Sequence, residues 1–383
     1  MVTAHSDGTA LEIRPNNDDA ARREIIVELK KFINLDMSAG MRALVAQEIA
    51  PKLEEDLGRP LDKNSVQDRE LLKSRLARET AFKLWSALTY ESQTLMWECV
   101  ADMLDHELPR LHEAADALAA STHKVGSLEL DPALKIPANI AQTEIHRQPG
   151  GFAFDRGPGD ITAGAYQSGG GWIYAKGKGH DNGAGTSGAD FLIGYLRHKF
   201  PDFTPQTMLD IGCGWGGNTT PYWQHFPGID INAVDCAPGL LRFAHARAES
   251  LKVPVHFKQM NAAALDYTDE SFDLVVSHIV GHETTHDILP KMVAESWRVV
   301  KPGGIILHLD VAFQKGFIGL TDQVLNDWQV AYNGEPFWMG WADVDMKEIM
   351  AAQGYPPGIS FTQHVKRTVG PGAWFIHGAR KPV

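Results

Sequence analysis

The stretch Leu209-Asp-Ile-Gly-Cys-Gly-Trp-Gly-Gly217 constrains the fold of this chain more than any other. The apolar run Thr207 to Ile211 has the length of a short buried strand. It stops at a glycine cluster, from which an amphipathic segment, Asn218 to Phe226, leaves as a helix. Strand, glycine turn and helix make one unit of an open α/β sheet, in which ligands bind beyond the carboxyl ends of the strands. Gly212, Gly214 and Gly217 also satisfy G-x-G-x-x-G, a pattern common to several nucleoside-cofactor loops.

Two acids separate those cofactors. Asp210 stands at the strand end, two residues ahead of the first glycine, where a pyrophosphate would be repelled. S-adenosylmethionine (SAM) carries no phosphate, but a cationic ammonium and a sulfonium, and a carboxylate at the lip of the loop suits it. Asp235 ends a second strand, Ile229 to Val234, where an acid accepts hydrogen bonds from ribose hydroxyls in SAM and NAD sites alike.

Further units follow in order. Pro254 to Met260 reads as a third strand ending in Asn261-Ala262, Phe272 to Ser277 as a fourth, and Val299-Val-Lys-Pro-Gly-Gly304 turns a helix into a fifth, Ile305 to Val311. D-x-G-C-G-x-G, the acid after strand two and the R-V-V-K-P-G-G turn together resemble the class I SAM-dependent methyltransferases, particularly those acting on small molecules. The resemblance covers Asp190 to Val311. It implies a Rossmann-like α/β sheet of seven strands whose last hairpin, Ile359 to Lys366 with Ala373 to Lys381, is antiparallel. It further implies SAM held by Asp210, Gly212, Cys213, Gly214, Asp235, Cys236, Asn261, Ala262 and His278. Asn261 departs from the more usual Asp, but its amide oxygen can still accept from an adenine amino group.

Composition narrows the partners. The net charge is −12 without a basic stripe, which argues against nucleic acid, since binding phosphates needs clustered Lys and Arg. No long uncharged apolar run suggests a membrane span, and the polar N-terminus does not read as a secretory signal. Cys99, Cys213 and Cys236 lack C-x-x-C spacing, as in a reduced compartment without structural zinc, so the cytoplasm is the expected location.

Upstream, residues 1–136 read as an all-α domain. Ile25, Ile26, Leu29, Phe32 and Ile33 share one face, and the helical pattern of Leu71 to Leu88 is followed by another from Glu91 to Leu118. The cluster Trp85, Tyr90, Met96 and Trp97 serves either as that domain's core or as a cover and homodimer surface. Residues 137–189 are glycine-rich with scattered aromatics and histidines, Ile145-His-Arg-Gln-Pro-Gly-Gly-Phe152 among them. They read as an active-site loop in which Tyr166, Trp172 and His180 are candidates for lining the site, or as a surface loop packed on itself. The catalytic unit then occupies residues 190–383, with an aromatic insertion near 312–342 expected to cap the acceptor pocket.

After strand four comes Ser277-His-Ile-Val-Gly-His-Glu-Thr-Thr-His286, a formal match to H-E-x-x-H. That motif works on one continuous helix, whereas here a cap at Thr284 or Thr285 leaves His282 and Glu283 in a loop and puts His286 in the helix's first turn. A metal held by the two histidines and the glutamate is one reading, and satisfied backbone or capping roles are another. The favoured reading has His282 and Glu283 acting on the acceptor, with Tyr166 and His180 as further catalytic candidates.

The sequence therefore predicts transfer of a methyl group from SAM to a small molecule, with O-methylation favoured over N-, S- or C-methylation. Its rivals are a metal-dependent hydrolase and a SAM-binding protein without turnover.

Overall fold

The computed structural model describes residues 8–177, 187–314, 316–370 and 372–383. Helices α1 (Asn17–Lys31), α2 (Ser38–Leu44), α3 (Ala50–Leu57), α4 (Val66–Leu76) and α5 (Thr80–Ala120) come first. They lead through β1 (Ser127–Glu129) and α6 (Ala138–Ala141) to α7 (Thr162–Gly177) and α8 (Gly188–Lys199). The α/β unit then runs β2 (Thr207–Ile211), α9 (Pro221–His225), β3 (Asp230–Asp235), α10 (Pro238–Leu251), β4 (Val255–Gln259), β5 (Phe272–His278), α11 (Leu289–Val299) and β6 (Val300–Val311). Helices α12 (Leu320–Tyr332), α13 (Trp338–Ala342) and α14 (Met346–Ala352) precede the closing strands β7 (Ser360–Lys366) and β8 (Ala373–Arg380).

The sheet has the order β1-β4-β3-β2-β5-β6-β8-β7, and β8 alone runs antiparallel to both its neighbours. After β4 the chain crosses to the other side of β2, so the order reverses between the adjacent strands β2 and β5, and a crevice opens at their carboxyl ends. The mixed sheet and its helical N-terminal region agree with the expected class, but there are eight strands rather than seven. The additional one, β1, is three residues long, too short to show a period, and it pairs with β4 from Ser127↔His256. The Glu249 carboxylate holds it there by accepting from the Val125 and Gly126 N–H groups.

Successive residues of β2 feed opposite layers. Met208 packs with Ile231, Leu274 and the buried face of α8, whereas Leu209 packs with Val275, Ile306 and residues of α11 and α14. The face of α8 buries Leu192, Ile193 and Leu196, each worth about 1.5–3 kcal/mol. A capping box starts this helix, with the Ser187 hydroxyl accepting from the Asp190 N–H and the Asp190 carboxylate answering the Ser187 N–H.

Two expectations change upstream. The pattern of Leu71 to Leu88 is split between α4 and α5, and its second part runs without a break into that of Glu91 to Leu118 in the single 41-residue helix α5, where Phe82, Trp85, Met96, Val100 and Met103 all fall on the buried face. The glycine-rich stretch after residue 137 is not one loop, since α7 runs through it. Its glycines let other elements approach closely: a Cβ at Gly170 would lie 2.5 Å from the Trp97 ring, and one at Gly169 3.0 Å from Val100. The composition that suggested a loop is that of a close-packed helix face.

The aromatic insertion spans the two regions. Val324, Leu325 and Trp328 of α12 join the core of the N-terminal helices, with Trp328 edge-on to Phe82. Trp338 stacks on Phe313, and the Trp341 indole donates to the Val311 carbonyl at 3.0 Å. Among the described residues no helix is long and apolar enough to cross a membrane.

Candidate active site

Beyond β2 the chain folds back over the end of β3, where the Gly212 and Cys213 N–H groups donate to the Val234 carbonyl at 2.8 and 3.0 Å. Gly212 (φ +73°) and Gly214 (φ +53°) occupy the left-handed region, and a Cβ at Gly214 would stand 2.7 Å from the Gln167 Oε1. Gln167, on α7, uses that same oxygen to accept from the Trp215 N–H at 3.0 Å. Asp235 accepts from the Gly214 N–H at 3.0 Å and the Ala237 N–H at 2.9 Å, yet burial pushes its carboxyl up. The acid at the end of β3 is thus tied directly to the loop.

Asp210 takes a different place from the one expected. It is 1% exposed beneath the loop, not at its lip, accepting from the Thr219 hydroxyl at 2.7 Å and facing His278 Nδ1 at 3.4 Å. Its contact with the cavity runs through His278.

This loop opens a cavity at the carboxyl ends of the strands. Gly212, Cys213, Gly214, Asp235, Cys236, Asn261 and Ala262 line it together with His278 at the end of β5 and Ile279 and Glu283 from the segment after it. His146, Phe152 and Gln167 contribute from the N-terminal side. Two lining residues other than glycine, His146 (φ +57°) and Ile279 (φ +62°), have left-handed backbone, which costs on the order of 1–3 kcal/mol each. Hydrogen bonds hold both: the His146 carbonyl accepts from Gln93 Nε2 and Trp97 Nε1, each at 2.7 Å, and the Ile279 N–H donates to the Leu309 carbonyl.

Around Glu283 four chain segments converge. His146 places Nε2 2.9 Å from Glu283 Oε1 and Nδ1 2.8 Å from Glu335 Oε1. His282 sets Nε2 3.4 Å from Glu283 Oε1, and its Nδ1 meets Asp310 Oδ1 at 2.7 Å. Burial opposes charge on both rings, but the carboxylates outweigh it. Glu335 and Glu283 raise His146 to about 10, and Asp310 with Glu283 raises His282 well above the usual range. For Glu283, burial works upward, but the two imidazoles bring it down to about 2. Backbone contacts fix the arrangement: the His146 N–H donates to the Gly334 carbonyl at 2.7 Å, and Asn139 Nδ2 to the Glu283 carbonyl at 3.0 Å.

A family model described as a methyltransferase domain matches residues 208–304, the span from the glycine loop to the turn before the middle of β6. This is a class I SAM-dependent methyltransferase domain. A demethylmenaquinone methyltransferase of Thermus thermophilus is 31% identical over 121 residues, 31% of this chain and 54% of that protein. A ubiquinone biosynthesis O-methyltransferase of Methylobacterium is 28% identical over 136 residues, 35% of this chain and 49% of that protein. The chain thus spans about half the length of the curated relatives it matches. A solved phosphoethanolamine N-methyltransferase of Haemonchus contortus, in complex with SAM, aligns over 50% of this chain and 52% of that one, with 17% identity and a TM-score of 0.38.

Within the methyltransferase domain, eight of the nine sequence-nominated cofactor residues line the cavity, Asp210 being the exception. Of the catalytic candidates, Glu283 lines it and His282 lies directly behind. Tyr166 instead faces Trp97 on α5, with ring centroids 6.3 Å apart, because its place on α7 turns it toward the N-terminal core. His180 lies outside the described residues. The H-E-x-x-H geometry is not formed: residues 281–283 make one 3-10 turn, and α11 begins only at Leu289. His286 therefore sits ahead of that helix rather than in its first turn, close to Gly340, and it takes no part in the cluster. His146, Asp310, Glu335 and Gln167 were not nominated, although the histidine texture around 145–152 was a signal for the first of them.

Proposed function

We propose that this chain transfers a methyl group from SAM to a small-molecule acceptor, and that the acceptor atom is a hydroxyl oxygen. One observation carries the reading: the glycine loop with Asp235 and the His146–Glu283 pair line one continuous cavity. The residues suit the cofactor. Backbone that only glycine tolerates lets a ligand approach the loop, and Asp235 offers a carboxylate to ribose hydroxyls. When bound, SAM supplies a methyl group whose bond to cationic sulfur breaks, the electron pair staying on sulfur, as the acceptor's lone pair takes the carbon.

The protein's own tasks are then alignment, exclusion of water and removal of the hydroxyl proton. Glu283, which lines the cavity beside His282 and His146, receives that proton on its carboxylate. Asp310 keeps His282 oriented through Nδ1. The helical region up to residue 136 and the insertion at 312–342 act as covers, since Trp328 ties the insertion to α5 while Trp338 packs edge-on to His282.

Incubation with methyl-labelled SAM and pools of small phenols, alcohols, amines and thiols tests the proposal. Label should appear in a hydroxyl-bearing acceptor with release of S-adenosylhomocysteine. Labelled amines alone would overturn the choice of oxygen, and failure to bind SAM would overturn the whole reading.

A further inference from the structure

We propose that His146, His282, Glu283 and Glu335 bind one first-row divalent transition ion at the acceptor end of the cavity. The ion's role rests on the methyltransferase reading above; the geometry of its site does not.

One ligand atom from each of the four residues falls within a set whose members lie no more than 4.8 Å apart. Bonds of 2.0–2.1 Å in a tetrahedral site put ligand atoms about 3.4 Å from one another. The separations here bracket that value, with 2.9 Å from His146 Nε2 to Glu283 Oε1, 3.4 Å from His282 Nε2 to Glu283 Oε1 and 4.0 Å from His282 Nε2 to Glu335 Oε2. Closing the set around an ion takes side-chain movements on the order of an ångström, since its widest separation reaches up to 4.8 Å.

The surroundings match what such a site requires. A histidine that ligates a metal through one nitrogen usually gives the other to a carboxylate, which fixes the ring and its tautomer. Asp310 does this for His282: its Oδ1 meets Nδ1 at 2.7 Å, and its Oδ2 accepts the His282 backbone N–H at 3.2 Å. The segments bearing His146 and Glu335 are joined by the bond from the His146 N–H to the Gly334 carbonyl, so neither ligand depends on a free loop.

Charge points the same way. Glu283, Glu335 and Asp310 are each at least nine-tenths buried, and the ion pairs of the described residues bring no lysine or arginine to any of them. Three carboxylates around two imidazoles call for positive charge, which a divalent ion would supply. Two nitrogens with two oxygens favour zinc, iron or cobalt over magnesium or calcium, which take oxygen-rich sites.

The motif that drew attention in the sequence is therefore only half used. His282 and Glu283 contribute, but the partners are His146 and Glu335 instead of His286. Because His146 and Glu283 line the cavity, an acceptor oxygen could reach the ion. The ion would lower the pKa of the hydroxyl, whose proton passes to a cluster carboxylate oxygen before the oxygen takes the methyl carbon.

The test is direct binding of Co²⁺ to metal-stripped full-length protein, followed by calorimetry and visible absorption, with S-adenosylhomocysteine affinity measured in parallel. The wild type should bind one equivalent of Co²⁺ and show ligand-field bands. Glu335→Gln and His146→Ala should each weaken Co²⁺ binding on the order of a hundredfold, and Asp310→Asn by about 10- to 100-fold. His286→Ala should leave Co²⁺ affinity as it was. Wild-type protein that binds S-adenosylhomocysteine but no Co²⁺ would overturn the metal site and leave the methyltransferase reading standing. Loss of Co²⁺ in His286→Ala, or full binding in Glu335→Gln, His146→Ala and Asp310→Asn alike, would overturn it too. Co²⁺ binding without any affinity for S-adenosylhomocysteine or SAM would support the site and remove its proposed role. Retained S-adenosylhomocysteine binding in each variant separates ligand loss from misfolding.

Discussion

At one end of the cavity the groups presented to a ligand are loop backbone and a single acid, Asp235; at the other they are buried imidazoles and carboxylates. The glycine end comes from the turns after β2, β3 and β4, neighbours in one parallel sheet. The cluster end draws on residues 146, 282–283, 310 and 335, which meet only when the N-terminal helices and the insertion have packed on the sheet. The first presents mostly backbone and little charge. The second concentrates charge where it is expensive to keep unpaired. On the proposed function, the contrast separates recognition of the methyl donor from handling of the acceptor, and each end is then expected to be damaged without the other.

The largest effect is expected at the glycine end. Gly214→Val puts a β-branched side chain at φ +53°, with its Cβ 2.7 Å from Gln167 Oε1, so both the backbone and the approach to the loop are disturbed. SAM binding should fall below detection by calorimetry, while Co²⁺ binding at the cluster persists. Loss of both together would mean that the two ends form one cooperative unit.

That contrast also explains what could be read from the sequence. The glycine end is local: Leu209 to Gly217 carries its strand, turn and glycines in nine consecutive letters, and Asp235 and Asn261 follow at the ends of the next strands. The parallel sheet was legible for the same reason, each strand being a short apolar run beside a helix. The cluster is not local. His282 and Glu283 stand out because H-E-x-x-H is a local spacing, but their partners lie well over a hundred residues before and about fifty after them, joined by tertiary packing alone. Glycine misled in the opposite sense, since in α7 it marks close approach of Trp97 and Val100 rather than a turn.

A smaller effect is expected at Asp235. Removing its carboxylate in Asp235→Ala takes away a partner for the ribose hydroxyls and frees the Gly214 and Ala237 N–H groups. SAM affinity should fall by about 1–3 kcal/mol, the range for hydrogen bonds to a charged group. Titration calorimetry checks this, and an unchanged dissociation constant would place the ribose on another lining residue such as Cys236. Co²⁺ affinity at the cluster should not move.

The smallest effect sharpens the comparison at the charged end, by asking what happens to buried histidines that lack carboxylates. His308 on β6 and His377 on β8 are each 2% exposed, with ring centroids 4.9 Å apart. Among the described residues no carboxylate pairs with either; His308 Nδ1 meets only the Ser277 hydroxyl, at 2.7 Å. Burial, helped by the charge of His278, brings His308 down to about 3, and burial with His308 takes His377 well below its usual range. In this pair burial wins; in His282 Asp310 and Glu283 reverse it. A depressed pKa in the folded state means that the unfolded chain takes up protons first, so stability is full above about pH 6.5 and is lost as the pH falls toward 3. The slope is at most about 1.4 kcal/mol per pH unit for each histidine. In His308→Asn, which can still bond to Ser277, the loss measured by urea unfolding between pH 6.5 and 5.5 should shrink by about 1 kcal/mol. The same pH dependence in wild type and variant would show that His308 titrates normally in the fold, and that burial alone does not distinguish these histidines from His282.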